Sequence, residues 1–137
     1  MRNSQGLRVL IVEDDPDTGA SMGQLLRMIG HDVDVALDGE ASLRAVQARR
    51  PDVVLLDIGL PGALNGFQVA QRLQEHSADK RPLLIAVTGY GEAADRRRAA
   101  EAGIDLYLTK PVEVDQLTDV LSKFQRVITP GEEVGTG

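Results

Sequence analysis

The sequence predicts an α/β fold in which a single doubly wound sheet has five parallel strands, and three observations support this prediction. Strand-like and helix-like segments alternate five times along 137 residues, the order that produces a parallel sheet with helices on both faces. The first, third and fourth strand-like segments are unbroken apolar runs, which is typical of strands buried on both faces. The second and fifth alternate polar and apolar residues, so we predict them at the edges and the strand order 2-1-3-4-5.

In the first half of the chain, apolar runs or alternation predict strands at 7–12, 32–36 and 53–58. The first helix follows strand one and carries apolar residues at spacings of three and four as far as Ile29. Asp17 or Thr18 is the expected N-cap of this helix, and Gly30 stands where a helix commonly stops. The second helix is predicted over 39–50, where a proline closes it.

In the second half, the remaining strands are predicted at 83–88 and 104–109, and two helices at 66–77 and 92–103. The 92–103 helix has only alanine among its apolar side chains, so we expect it to be the most weakly packed element. The last helix carries a stripe of larger apolar residues at steps of three and four, from Val114 to Ile128.

Charge and composition exclude several classes of protein. The net charge of -6 argues against direct binding to nucleic acid, and the apolar runs are too short for insertion into a membrane. There is no cysteine, which excludes disulfides and thiolate metal sites, and the cytoplasm is the expected compartment. We expect a flexible N-terminus over 1–6, one domain over 7–128 and a flexible tail over 129–137. His31 and His76 are expected at the surface.

Polar residues stand where the predicted strands end. They are Glu13, Asp14 and Asp15 after strand one, Asp57 at the end of strand three, Thr88 at the end of strand four and Lys110 after strand five. In the order 2-1-3-4-5 the chain reverses direction between the first and third strands, and ligands of such sheets bind at that reversal. We therefore expect these side chains to converge on one crevice.

The clustered carboxylates repel one another unless a cation neutralises them. Hard oxygen ligands favour magnesium, calcium or manganese, and Mg²⁺ typically uses one or two carboxylates together with waters and phosphate oxygens. A divalent cation, the Lys110 ammonium and the Thr88 hydroxyl around Asp57 form a cradle for a phosphoryl group on that carboxylate. Asp15 is expected to be a surface or loop-capping acid rather than a metal ligand.

Four stretches, LIVEDD, VVLLDIGLPG, AVTGY and AGIDLYLTKP, occur in an order that is similar to the receiver domains of two-component response regulators. The chain resembles this family over residues 7 to about 128. The resemblance implies a flavodoxin-like receiver fold and a role in phosphorelay signal transduction, with a histidine kinase or phosphotransfer protein as partner. It implies no enzyme activity beyond self-phosphotransfer from a phosphodonor and autodephosphorylation.

The resemblance also implies roles for individual residues. Asp57 would be the phosphoacceptor, and Mg²⁺ would be bound by Glu13, Asp14, Asp57 and the Gly59 carbonyl. Thr88 and Lys110 would contact the phosphoryl group, and Thr88 and Tyr107 would be the switch residues. The Lys110–Pro111 peptide would be cis. Phosphorylation would change the face formed by the fourth helix, the fifth strand and the last helix. That change would support binding of a downstream partner or a weak homodimer.

Three questions stay open at the level of sequence. The stretch LPGALNGF is one residue longer than the family's usual turn, and the extra residue falls around Ala63 and Leu64. A small aspartyl-phosphate phosphotransferase or phosphatase is the alternative function. Such a phosphatase would need a second acid two residues after the nucleophile, where this chain has Gly59. The sequence also leaves open whether the receiver stands alone or comes from a hybrid histidine kinase.

Overall fold

The computed structural model describes residues 6–60, 65–75, 81–89, 97 and 100–128, without the side chains of Thr88, Val127 and Ile128. It confirms a five-stranded parallel sheet in the order β2-β1-β3-β4-β5. The elements are β1 (Arg8–Val12), α1 (Pro16–Met28), β2 (Asp32–Ala36), α2 (Gly39–Arg49), β3 (Val53–Asp57), α3 (Gly66–Glu75), β4 (Leu83–Thr88), β5 (Leu106–Thr109) and a C-terminal helix (Val114–Ile128). Among the described residues, no helix has the length and apolar character needed to cross a membrane.

The core lies on both faces of the sheet, because successive residues of each central strand point to opposite sides. One face buries Leu10, Val12, Val54, Leu56 and Leu84 against α3 and the partly buried apolar side of α2. The other buries Val9, Ile11, Val53, Leu55 and Ile85 against α1 and the C-terminal helix. This double burial explains the unbroken apolar runs of the central strands, and β2 and β5 form the edges as predicted.

Helix α1 begins two or three residues earlier than the sequence predicted. Its N-cap is Asp15, whose carboxylate accepts hydrogen bonds from the Asp17 N–H at 3.3 Å and the Thr18 hydroxyl at 2.5 Å. The prediction that Asp17 or Thr18 caps the helix is therefore wrong. The reason is Pro16, which lacks an N–H and has a fixed φ that suits the first helical position. Asp15 is exposed, as the sequence predicted, and its side chain caps the helix rather than a loop.

Strand β5 begins at Leu106 rather than at residue 104 as predicted. The Asp105 carboxylate accepts a hydrogen bond from the Leu84 N–H at 2.9 Å, and Arg81 pairs with the same carboxylate at 3.0 Å. The Asp105 N–H also donates to the Leu84 carbonyl at 2.9 Å, but the Leu84 N–H bonds to the Asp105 side chain, so the regular ladder starts at Leu106, two residues later than predicted. The other strand ends agree with the predicted ends to within one residue.

Parts of several predictions lie outside the described residues, including the flexible segments expected over 1–6 and 129–137, of which only Gly6 is described. Only 97 and 100–103 of the predicted 92–103 helix are described; they are helical at 97, 100 and 101, and the segment ends at Gly103 with φ +87°. The extra loop residue near 63 and 64 and the histidine at 76 also lie outside the described part of the chain.

His31 is half-buried, which corrects the expected surface position. Its Nδ1 accepts a hydrogen bond from the Leu7 N–H at 3.0 Å, so the ring joins the start of β1 to the turn before β2. Gly30 precedes it with φ +105°, directly after the C-cap of α1, as the sequence predicted for a helix stop.

Candidate functional site

The carboxyl ends of β1 and β3 bring three carboxylates together. Carboxylate oxygens of Glu13, Asp14 and Asp57 all lie within 4.8 Å of one another. Glu13 and Asp57 are each only 7 % exposed, whereas Asp14 is exposed to solvent. The Glu13 N–H donates to the Ala36 carbonyl at 3.0 Å, which extends the β1–β2 ladder and fixes the acid at the end of the strand. The predicted convergence of these acids is confirmed.

Lys110 reaches the cluster from the end of β5. Its Nζ lies 3.2 Å from Asp57 Oδ2 and 3.6 Å from Glu13 Oε1. The Lys110–Pro111 peptide is cis, as predicted. Partial burial lowers the pKa of the Lys110 ammonium, but the hydrogen bond to Asp57 and the charges of Asp57 and Glu13 raise it by more, so the pKa lies above its usual value. Lys110 is therefore cationic at neutral pH and offsets part of the negative charge.

Burial is the main reason that the pKa of Glu13 lies above its ordinary value of 4.5, and the Asp57 carboxylate adds to the increase. The hydrogen bond from the Asp15 N–H to Glu13 Oε2, 3.2 Å long, and the nearby Lys110 charge act in the opposite direction. Burial and a like charge both disfavour the ionised form of a carboxylate. A neighbouring cation stabilises that ionised form.

Both oxygens of Asp57 have partners. Oδ1 accepts a hydrogen bond from the Gly59 N–H at 2.9 Å, while Oδ2 faces the Lys110 ammonium. The next residue is held as well, because the Ile58 N–H donates to the Val87 carbonyl of the neighbouring strand at 3.1 Å. The Asp57 side chain is thus oriented from two sides before any ligand binds.

For Thr88 and Tyr107, the structure shows less of the predicted arrangement. Thr88 ends β4, where its Cα is paired with that of Thr109, but its side chain lies outside the described part of the structure. Tyr107 is half-buried and packs against the core cluster that includes α3. The metal-binding, phosphoryl-contact and switch roles of the predicted residues remain predictions; the structure brings together Glu13, Asp14, Asp57 and Lys110.

The donor set suits a hard divalent cation. Three carboxylates contribute anionic oxygens within a small volume, one of them is open to solvent, and cations that prefer oxygen ligands are bound by such groups. The chemistry of these residues therefore fits Mg²⁺, with Glu13, Asp14 and Asp57 as the residues that would hold it.

A cleft of about 680 Å³ opens beside the carboxylates, between α1 and the C-terminal helix. Glu13 and Lys110 line the cleft, and most of its remaining surface is apolar, with Met22, Leu25 and Leu117 among the lining residues. Sequence reasoning did not find this cleft. The apolar spacing on α1 was visible, but the open space depends on how far apart the two helices lie.

The fold and the site together define a class: a doubly wound α/β protein with a carboxylate cluster and a lysine at the topological switch point of its sheet. The sequence matches the response regulator receiver domain family over residues 9–122. The chain belongs to this family, and it is a receiver domain of the two-component response regulator type.

Individual relatives agree with this membership. The transcriptional regulatory protein TcrA of Mycobacterium tuberculosis is 38 % identical over 112 residues, which cover 82 % of this chain and 43 % of TcrA. The chain thus spans less than half the length of that relative. The receiver domain of the sensor histidine kinase PA1611 from Pseudomonas aeruginosa, solved with a magnesium ion coordinated in its active site cleft, has 29 % identity and a TM-score of 0.78. The alignment covers 88 % of this chain and 98 % of that one.

The beryllofluoride-activated receiver domain of Klebsiella pneumoniae RstA is a further structural relative. It has 26 % identity and a TM-score of 0.78, and the alignment covers 87 % of this chain and 98 % of that domain. Receiver domains act as phosphoacceptors that interact with histidine kinases or phosphotransfer proteins, and the phosphorelay function predicted from the sequence is therefore confirmed at the level of the family.

Proposed function

We propose that this receiver accepts a phosphoryl group on Asp57 in a reaction that requires Mg²⁺. The observation that carries the proposal is the setting of the Asp57 carboxylate. It lies between the Gly59 N–H at 2.9 Å and the Lys110 ammonium at 3.2 Å, and two further acids stand beside it. A carboxylate held in this way is a nucleophile whose neighbours also recognise an incoming phosphoryl group.

The chemistry is an in-line transfer of a phosphoryl group to a carboxylate oxygen. The bond between phosphorus and the donor's leaving nitrogen or oxygen breaks while a bond between phosphorus and Asp57 forms. Lys110 contributes its positive charge to the phosphoryl oxygens, and the Thr88 hydroxyl is proposed as a hydrogen-bond donor to them. When bound by Glu13, Asp14, Asp57 and the Gly59 carbonyl, Mg²⁺ supplies charge neutralisation.

Labelling with a small phosphodonor tests the proposal directly. Incubation with acetyl phosphate and Mg²⁺ should add the mass of one phosphoryl group to the intact protein, and EDTA should abolish the addition. The matched control is Asp57→Asn, which keeps the shape of the side chain but lacks the nucleophile. Labelling of the Asn variant to the same extent as the wild type would show that the phosphoacceptor is elsewhere.

The physiological donor is proposed to be a histidine kinase or phosphotransfer protein, acting in the cytoplasm. A phosphotransfer profile against candidate kinases would identify which one. The phosphoryl group is proposed to leave by autodephosphorylation rather than by transfer to a metabolite. The alternative, a phosphatase that turns over an aspartyl phosphate, lacks support because Gly59 offers no acid at the required position.

The output is proposed to be a change in the face formed by the 92–103 segment, β5 and the C-terminal helix, with Thr88 and Tyr107 as the switch residues. Support comes from chain connectivity: Lys110, which contacts Asp57, directly follows β5, and the strand itself carries Tyr107. The changed face is proposed to bind a downstream partner or a second copy weakly. Direct contact with nucleic acid is not expected, because the chain carries a net charge of -6.

A further inference from the structure

The backbone of Gly66, the first residue of α3, lies directly on the backbone at the end of β3. A Cβ atom placed on Gly66 would stand 2.6 Å from Ile58 Cα and 2.8 Å from the Asp57 carbonyl oxygen. Real Cβ atoms do not approach other heavy atoms so closely. Because both neighbours are backbone atoms, no change of rotamer could relieve the contact; only glycine permits this approach.

The backbone that Gly66 touches also positions the proposed metal site. The Ile58 carbonyl accepts a hydrogen bond from the Gly66 N–H at 3.4 Å, while the Ile58 N–H donates to Val87 on β4. The next amide, that of Gly59, donates to Asp57 Oδ1. A displacement of Ile58 would therefore move both the donor that orients Asp57 and the residue whose carbonyl is proposed as a ligand.

Helix α3 cannot withdraw easily to make room for a larger residue. Phe67, Val69 and Ala70 in its first turns are buried in the core, and close-packed cores resist such shifts. The start of the helix is fixed further by reciprocal hydrogen bonds between Asn65 and Gln68, each 2.9 Å long. Added bulk at position 66 would push on the Asp57–Ile58 backbone instead of on the helix.

We infer that Gly66 is a positioning residue for the phosphorylation site: its missing side chain lets α3 hold the Ile58–Gly59 peptide where the metal and Asp57 require it. The inference rests on the proposed function, since it concerns Mg²⁺ binding at the same carboxylates. It assigns to Gly66 an effect on metal affinity that is separate from an effect on folding.

Mg²⁺ titration followed by two-dimensional ¹H–¹⁵N NMR tests the inference, because the spectra report the affinity of the folded molecules alone. Gly66→Ala should raise the Mg²⁺ dissociation constant at least about tenfold, the effect typical of lost outer-shell support. Gly23→Ala is the matched control, since a Cβ there would lie at an ordinary 3.5 Å from Val33 Cγ1. Its dissociation constant should equal that of the wild type.

A double variant separates backbone displacement from side-chain crowding, because a Cβ on Gly66 would also stand 3.1 Å from Ile58 Cδ1. Gly66→Ala combined with Ile58→Ala should bind Mg²⁺ as weakly as Gly66→Ala alone. Recovery of wild-type affinity in the double variant would overturn the inference, because the clash would then be with the Ile58 side chain.

The outcomes also distinguish this inference from the proposed function. If the wild type itself fails to bind Mg²⁺, the proposed function fails; if the wild type binds and Gly66→Ala binds equally well, only the role of Gly66 fails. Should Gly66→Ala not fold, Asn65→Ala replaces it, because loss of the hydrogen bond from the Gln68 N–H to Asn65 Oδ1 loosens the start of α3 without adding an atom. Asn65→Ala should weaken Mg²⁺ binding severalfold, and an unchanged dissociation constant would overturn the inference.

Discussion

Two buried carboxylates, Glu13 and Asp57, both contact the ammonium of Lys110. The exposed Asp14 carboxylate adds a third negative charge close by, so the described cluster keeps a net negative charge even with Lys110 in place. A phosphodonor approaching this site is itself anionic. The local charges therefore explain why the proposed reaction requires a divalent cation.

Replacing Asp14 should separate metal binding from folding. In the wild type, Mg²⁺ at about 100 times its dissociation constant should add roughly 2.7 kcal/mol to the free energy of unfolding. Asp14→Ala should erase this gain in thermal melts. Without metal its melting temperature should equal or exceed that of the wild type, because one repelling charge is gone.

Asp119→Ala is the control for the Asp14 experiment. Asp119 is an exposed acid on the C-terminal helix, paired with Lys123 at 3.0 Å and outside the carboxylate cluster. The Asp119→Ala variant should keep the Mg²⁺-dependent increase in the free energy of unfolding. An Asp14→Ala protein that melts well below the wild type in the absence of metal would indicate a structural role for Asp14 instead.

His31 predicts a dependence of stability on pH. Burial lowers the pKa of its imidazole below the ordinary 6.5, and Nδ1 must be unprotonated to accept the Leu7 N–H. The folded protein thus binds fewer protons than the unfolded chain near that pH. The His31 contribution is fully present above pH 6.5 and is lost as the pH falls through 6.5 toward the lower folded pKa.

Urea unfolding at intervals between pH 7.5 and 5.5 measures this effect. The free energy of unfolding of the wild type should decline relative to that of His31→Gln, whose amide oxygen can accept the same hydrogen bond but does not titrate in this range. Comparison with this variant removes the contributions of Glu13 and the other acids, which both proteins share. Parallel curves for the two proteins would contradict the prediction.

At the scale of elements, the C-terminal helix is held by one buried face. Leu117 and Leu121 are buried among residues of the central strands, while Val114 is 45 % exposed at the start of the helix. Leu121→Ala should lower the free energy of unfolding by about 2–5 kcal/mol, because it removes buried methyl groups and leaves a cavity. Val114→Ala, the control, should change it by no more than about 0.5 kcal/mol. Equal losses in denaturant unfolding would show that the helix packs differently.

At the scale of the whole molecule, the proposed phosphorylation site is connected to one edge of the sheet through Lys110. Lys110 joins Asp57 to the end of β5, and Tyr107 of the same strand packs into the core behind the site. A local charge that shifts a two-state element is the general form of such switches. The opposite edge, β2, has no residue in the described carboxylate cluster.

Hydrogen exchange should show that the β5 edge responds to the site and the β2 edge does not. Addition of Mg²⁺ and beryllofluoride, which mimics a phosphoryl group, should change amide exchange across residues 89–110, including β5. Amides of β2 serve as the internal control and should exchange at unchanged rates. Changes confined to the surroundings of Asp57 would refute transmission through β5.

The sequence by itself determined the fold class, the strand order and the residues that meet at the site. The apolar pattern of a strand lies within a short stretch of sequence, so it can be read without the fold. The contrast between unbroken and alternating patterns identified β2 and β5 as the edge strands. Once the order was known, Glu13, Asp57 and Lys110 had to converge, because the carboxyl ends of parallel strands lie at the same edge of a sheet.

Tertiary structure alone decided the details that depend on contacts between distant segments. The start of β5 follows from the bond between Asp105 and Leu84, the half-burial of His31 from its bond to Leu7, and the close approach of Gly66 from the seating of α3 on β3. No periodicity within one segment encodes these features. Each depends on which groups come into contact and exclude water when separate elements pack. Those contacts are determined only in the folded molecule.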